Sequence, residues 1–149
     1  MALQGGVILV LSEYMLTVSP IGKIPLRHGT RALVLNPPEG YLESLQEAAQ
    51  GVELLRRPPV RRASCEVVAL FVRSEAELKA ALPGALAALK PSGQFWIAYP
   101  RRLDSEMRRD TAWNAVFKEG LRVVTVVVLD AEWQAIRFRP IGKGRARAR

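Results

Sequence analysis

The chain has 149 residues, 49% hydrophobic and 24% charged, with a formal net charge of +8. That length bounds it to one domain burying roughly 68–70% of its unfolded surface, and the composition is ordinary for a soluble globular protein. The single cysteine, Cys65, excludes a disulfide framework and a cysteine-based zinc site, and fits a reducing cytoplasm. Six of the excess positive charges are Arg137, Arg139, Lys143, Arg145, Arg147 and Arg149, leaving +2 for residues 1–136. A nearly balanced body with a basic end argues against a broad nucleic-acid-binding face on the domain itself.

The apolar run at residues 7–11 is too short to span a bilayer, which needs about 20 apolar residues. No Lys or Arg precedes it, as an export signal requires, and an extra N-terminal strand within residues 1–18 is the expectation. The Pro/Gly punctuation of residues 19–25 marks a loop. Residues 31–36 read as the first strong buried strand, and residues 39–49 as a helix with Leu42, Leu45 and Ala49 on one face, stopped by Gly51. Residues 52–56 read as a short strand. The stretch Arg57-Pro58-Pro59-Val60-Arg61-Arg62 is a stiff connection too short for a further helix and strand.

Residues 65–72 form a near-continuous apolar run, the pattern of a parallel strand covered on both faces. Ser74 to Glu77 is a capping box. It opens a helix with Leu78, Ala81, Leu82, Ala85, Leu86 and Leu89 along one stripe, which Pro83-Gly84 should kink or split. Residues 90–93 read as a turn and 94–99 as a strand. Residues 101–109 are polar and basic. Asp110 or Thr111 caps a helix to Glu119 with Trp113, Val116 and Phe117 inward, ended by Gly120. Residues 122–129 read as another buried strand, Asp130-Ala131-Glu132 as its turn, and 133–138 as the returning hairpin strand.

This order predicts an α/β three-layer sandwich, a mostly parallel sheet with helices on both faces and a C-terminal antiparallel hairpin. The expected domain is 1–141, with 142–149 a basic tail. The closing hairpin resembles class I methyltransferases rather than dehydrogenases. The stretch Ala88-Leu89-Lys90-Pro91-Ser92-Gly93-Gln94-Phe95-Trp96-Ile97 is similar to their leucine-lysine-proline-glycine-glycine turn into a late strand.

Three motifs in order carry a second resemblance. They are Gly29-Thr30-Arg31-Ala32-Leu33-Val34-Leu35-Asn36 with Pro38-Glu39-Gly40-Tyr41, then Trp96-Ile97-Ala98-Tyr99-Pro100-Arg101-Arg102, then Leu129-Asp130-Ala131-Glu132-Trp133. From Ser19 to Pro140 the chain resembles the bacterial family called domain of unknown function 3052. Tyr99-Pro100-Arg101-Arg102 stands where members carry tryptophan-proline-lysine-lysine, and Asp130-Ala131-Glu132-Trp133 resembles their aspartate-glutamate-threonine-tryptophan turn. The resemblance implies a truncated, methyltransferase-like (Rossmann-like) fold and supplies no reaction.

S-adenosylmethionine binding calls for a glycine-lined backbone after strand one and a carboxylate at the end of strand two. The chain has Asn36-Pro37-Pro38 and Arg56-Arg57 there, and prolines donate no N–H. No cofactor and no metal are therefore expected. The role anticipated is a non-catalytic interaction or small-ligand-binding domain with a degenerate cofactor loop. The ligand cleft expected at the strand ends comprises Asn36, Pro38, Glu39, Arg73, Tyr99 and Arg101. One alternative is an enzyme acting on a small anionic substrate in that cleft, with Glu39 as base and Arg101 as anion clamp. In a structural role, Glu39 would instead complement the dipole of the first helical turn. The other alternative is nucleic-acid association through Lys143, Arg145, Arg147 and Arg149, although no stacking aromatics interleave them. His28 reads as a turn residue, Cys65 as a small core residue, and Trp96, Trp113 and Trp133 as core or interface anchors. A homodimer through the N-terminal strand or the Trp133 hairpin, and no membrane association, complete the expectations.

Overall fold

The computed structural model describes residues 26–48 and 51–140. The expected strand at 7–11, the loop at 19–25, Ala49 and the tail at 142–149 lie outside them. The elements are β1 (Arg31–Leu35), α1 (Tyr41–Ala48), β2 (Glu53–Leu55), β3 (Cys65–Phe71), α2 (Glu75–Ala88), β4 (Leu89–Pro100), two 3-10 turns, α3 (Asn114–Lys118), β5 (Leu121–Val128) and β6 (Trp133–Pro140). They build one six-stranded sheet in the order β2-β1-β3-β4-β6-β5. The first four strands pair in parallel, and β6 runs antiparallel between β4 and β5.

The period of two in a strand sorts the apolar residues onto two faces. Leu33, Leu35, Val68, Leu70, Phe95 and Ile97 face one layer, where they meet Leu78, Leu82 and Ala85 of α2 and Val116 of α3. Ala32, Val34, Val67, Ala69, Phe71 and Trp96 face the other, where α1 contributes Tyr41, Leu42 and Leu45. Phe71 joins Tyr41 and Trp133 edge-on, with ring centroids 4.8 and 5.1 Å away. The α/β sandwich with its C-terminal antiparallel hairpin is thus the observed architecture.

Local boundaries differ where tertiary pairing overrides the sequence signal. Residues 90–93 belong to β4 rather than to a free turn. The register jumps from Cys65 opposite Leu89 to Val67 opposite Gln94, so the Pro-Ser-Gly stretch is an irregularity inside the strand. Helix α2 runs unbroken through Pro83, whose exposed ring leaves only the carbonyl of exposed Lys79 without its intrahelical donor. Helix α1 starts at Tyr41, two residues later than expected, leaving Glu39 in the preceding turn. Residues 110–113 are a 3-10 turn rather than α-helix, and Phe117 is exposed rather than inward. The largest difference is β5. Among the described residues it is the edge strand of the sheet, and Val123, Val124, Val126 and Val128 are all exposed. A side chain would be strained at Gly51. Its φ is +82°, and a Cβ there would strike the His28 imidazole.

At the N-terminal ends of the parallel strands, Glu66 accepts from the backbone N–H of Arg31 at 2.7 Å and pairs with Lys90 at 2.6 Å. The Lys90 hydrogen bond, with help from Arg31 N–H, holds the Glu66 carboxyl below its ordinary value of 4.5. A depressed folded value means that its stabilisation is present above pH 4.5 and lost as pH falls through the folded value. Because the pair is more than a third exposed, Glu66→Gln should cost only about 1 kcal/mol at pH 7. Urea denaturation should show that deficit shrinking as pH falls below 4.5, and a deficit that does not shrink with falling pH would contradict the assignment.

Candidate functional site

Parallel strands open their carboxyl ends on one rim. Here the connections diverge between β1, which leads to β2 on one side, and β3, which leads to β4 on the other. Such a switch point leaves a crevice between the two exits. At the β1 exit Asn36 adopts φ 57°, the left-handed region that Asn tolerates better than other side-chain-bearing residues. Pro37 and Pro38 follow and offer no N–H. The Tyr41 N–H donates to the Pro38 carbonyl at 3.0 Å, so the first turn of α1 is partly closed by its own loop.

At the β3 exit the Val72 N–H donates to Ala98 O at 2.9 Å and fixes the strand end beside β4. Arg73 comes next, then the α2 cap. Ser74 Oγ accepts from Glu77 N–H at 3.1 Å, and Glu77 Oε1 accepts from Arg73 N–H at 2.7 Å. The capping box is present, with its carboxylate reaching one residue further back than the usual partner. The exposed Arg73 guanidinium lies 5.0 Å from the centre of the Trp133 ring.

Three depressions surround this point. A cleft of about 500 Å³ between the β1 and β3 exits is lined by Asn36, Pro37, Arg73, Glu77, Ala80 and Ala81. A second, of about 280 Å³, is lined by Pro38, Glu39, Tyr41, Asp130, Glu132 and Trp133, with Gly40 and Ser44. A third, of about 400 Å³, holds Arg73, Pro100, Arg102, Asp104, Ser105 and Glu106. In it the Arg102 guanidinium hydrogen-bonds both Asp104 oxygens, at 3.0 and 2.8 Å, and holds that carboxyl below its usual range. Burial, with a smaller contribution from the Asp130 carboxylate, pushes the Tyr41 hydroxyl well above its ordinary value and keeps it protonated. A fourth depression of about 250 Å³ lies at the opposite rim among Arg31, Glu53, Glu66 and Lys90, whose charges already pair with one another.

The six residues expected to share a cleft are divided. Asn36 and Arg73 meet in the first, while Pro38 and Glu39 line the second. Tyr99 is buried in the layer on the α2 side, accepts a hydrogen bond from Gln134 Nε2, and packs edge-on to Trp113 at 5.2 Å. It fills core on that face, held by Gln134 and Trp113, and lines none of the three depressions. Arg101 turns towards the hairpin and donates to the carbonyls of Asp130 and Ala131 at 3.2 and 3.3 Å. Glu39 and Arg101 therefore do not converge on one pocket. The sequence reading missed Pro37, Glu77, Ala80 and Ala81. The Ser74–Glu77 capping box was the available signal, since it places the first turns of α2 against the β3 exit. Among the described residues no group of three metal-ligating side chains occurs, and no helix is long and apolar enough to cross a membrane.

No family model matches the chain, and no curated protein does. Solved structures match over most of its length. A S-adenosylmethionine-dependent methyltransferase from Aquifex aeolicus superposes with TM-score 0.58 at 14% identity, covering 86% of this chain and 90% of that one. A TehB-like methyltransferase from Corynebacterium glutamicum gives TM-score 0.50 at 11% identity, covering 93% and 95%. The mitomycin 7-O-methyltransferase MmcR gives 0.52 at 16% identity, covering 92% of this chain and 55% of that one. These matches overturn the expectation of a non-catalytic interaction or small-ligand-binding domain. That expectation equated the loss of loop glycines with the loss of the site. Asn36 supplies the left-handed turn instead, and the switch-point cleft stays open. The fold of this chain is that of class I S-adenosylmethionine-dependent methyltransferases.

Proposed function

We propose that the chain is a methyltransferase that holds S-adenosylmethionine in the cleft between the β1 and β3 exits. The observation that supports this reading is the convergence there of an amide, a cation and a carboxylate, Asn36, Arg73 and Glu77, beside apolar Pro37, Ala80 and Ala81. The cleft volume lies within the range of about 300–1,000 Å³ usual for small-molecule sites.

The residues present fit the charge pattern of that molecule. Its carboxylate matches the Arg73 guanidinium. Its ammonium and sulfonium match Glu77, whose carboxylate is already oriented by the Arg73 N–H. Asn36 both donates and accepts, as ribose hydroxyls require. Pro37, Ala80 and Ala81 offer small apolar surface to a flat base. Bound there, the cofactor supplies an electrophilic methyl group. The protein's own contribution is positioning, because the strand ends and the α2 cap fix these side chains on rigid elements. The ribose end departs from the common arrangement. Strand β2 is followed by Arg56, whose guanidinium lies 3.8 Å from the Glu43 carboxylate.

The same reading includes membership of the domain of unknown function 3052 family, supported by the Gly29–Asn36 run on β1 and the Leu129–Trp133 hairpin turn. It also includes a single domain over residues 1–141 and a cytoplasmic setting, the latter supported by a lone, buried Cys65. The experiment is a calorimetric titration of the full chain with S-adenosylmethionine. Saturable heat at one site per chain is expected, and a flat titration overturns the proposal.

A further inference from the structure

We propose that the depression of about 280 Å³ between the β1 exit and the β5–β6 turn binds a small organic amine as its ammonium ion, through Glu39, Asp130, Glu132 and the Tyr41 hydroxyl. Recognition of the amine does not depend on S-adenosylmethionine in the neighbouring cleft.

The charge of this depression is opposite to that of the chain. The chain carries +8, yet among the described residues three carboxylates line these walls and no Lys or Arg does. None of the three forms an ion pair among those residues. The nearby cations are engaged elsewhere. Arg73 lies 5.0 Å from the centre of the Trp133 ring, and Arg101 donates to the backbone carbonyls of Asp130 and Ala131. Asp130 is fixed on the hairpin by one oxygen only. Its Oδ1 accepts from the N–H groups of Glu132 and Trp133, at 2.8 and 2.9 Å, which leaves Oδ2 to accept from a ligand.

Tyr41 points to a ligand independently of the carboxylates. It is only 3% exposed, and its hydroxyl makes no hydrogen bond among the described residues. It lines the depression, and Asp130 is near enough to reinforce the rise that burial imposes on its pKa. Native proteins rarely leave a buried hydroxyl without a partner. A primary ammonium carries three donors, enough to serve the Tyr41 oxygen and two carboxylates together.

The spacing of the acids selects the kind of cation. Among the described residues no three of them stand close enough to share a metal ion. An organic cation suits walls set further apart, with Pro38 and Trp133 as apolar surface beside the charge. The volume falls at the small end of the range of about 300–1,000 Å³ usual for ligand sites, which limits the amine to a small one.

Calorimetric titration of the full chain with benzylamine, in the absence of S-adenosylmethionine, tests this. Benzyl alcohol and benzoate serve as its uncharged and anionic counterparts. Saturable heat at one site is expected from benzylamine, with both counterparts weaker by at least about tenfold. Replacing Glu39→Gln and Glu132→Gln together should weaken benzylamine about tenfold or more. Replacing Glu47→Gln and Glu119→Gln together removes the same charge from exposed positions outside the depression and should leave its affinity unchanged. Tyr41→Phe removes the hydroxyl and keeps the ring. It should weaken benzylamine several-fold without lowering the melting temperature, because a buried hydroxyl lacking a partner does not stabilise the fold. A flat benzylamine titration would overturn the proposal. So would equal binding of benzyl alcohol, or unchanged affinity in either the Glu39/Glu132 variant or Tyr41→Phe.

Discussion

Arg73→Ala is expected to weaken S-adenosylmethionine binding about 10- to 150-fold, the loss of one hydrogen-bonded charge pair worth about 1.5–3 kcal/mol. The same change should move the melting temperature by only about 2–4 °C. The Arg73 side chain is exposed, and its contact with the Trp133 ring contributes about 0.5–1 kcal/mol at such a site. Binding and stability therefore separate at this residue. Arg73→Lys should fall between the two, because an ammonium keeps the charge and loses the planar fork. Equal affinity for the wild type and Arg73→Ala would remove the carboxylate assignment.

Phe71→Ala should have the largest effect on stability. Phe71 is fully buried at the end of the central strand and joins Tyr41 of α1 to Trp133 of β6. Truncating a ring in such a place costs about 3–5 kcal/mol, through lost burial and the cavity left behind. For a chain of this size that is a melting temperature lower by about 6–20 °C in a thermal denaturation scan. Val60→Ala, at a fully exposed position, should stay within about 0.5 kcal/mol of the parent. If the two variants melt alike, the packing described around Phe71 is wrong.

These two residues also show what the sequence could and could not disclose. The apolar run at 65–72 announces a strand covered on both faces, and β3 is that strand, so the site of Phe71 was legible. The order of elements was equally plain, because strand and helix periods alternate cleanly from Arg31 to Phe138. Strand β5 was misjudged for a physical reason. Consecutive valines look the same whether a helix covers them or the sheet simply ends, and only the strand order distinguishes the cases. Residues 90–93 were misjudged because Pro and Gly signal a turn, whereas pairing with β3 resumes on either side of them.

The site was half legible. Asn36 and Arg73 follow directly from locating strand ends. Tyr99 is taken into the core by Trp113 and Gln134, which lie far along the chain, and Arg101 is drawn away by hairpin carbonyls that no local pattern reveals. Glu77 was read as a cap and is one, yet the cap also sets a carboxylate on the cleft. The prolines were given too much weight. A loop can lose backbone donors and still turn, since Asn36 reaches the left-handed region that glycine would otherwise provide.

The central claim is that this cleft takes S-adenosylmethionine through its charged amino-acid end rather than through a ribose carboxylate. Calorimetric titration of the full chain with S-adenosylmethionine, S-adenosylhomocysteine and adenosine in parallel tests it most directly. The account predicts saturable one-site binding of the first two, with adenosine weaker by at least about tenfold for want of the carboxylate that Arg73 holds. Adenosine binding as tightly as S-adenosylmethionine, or no saturable heat from any of the three, would contradict it.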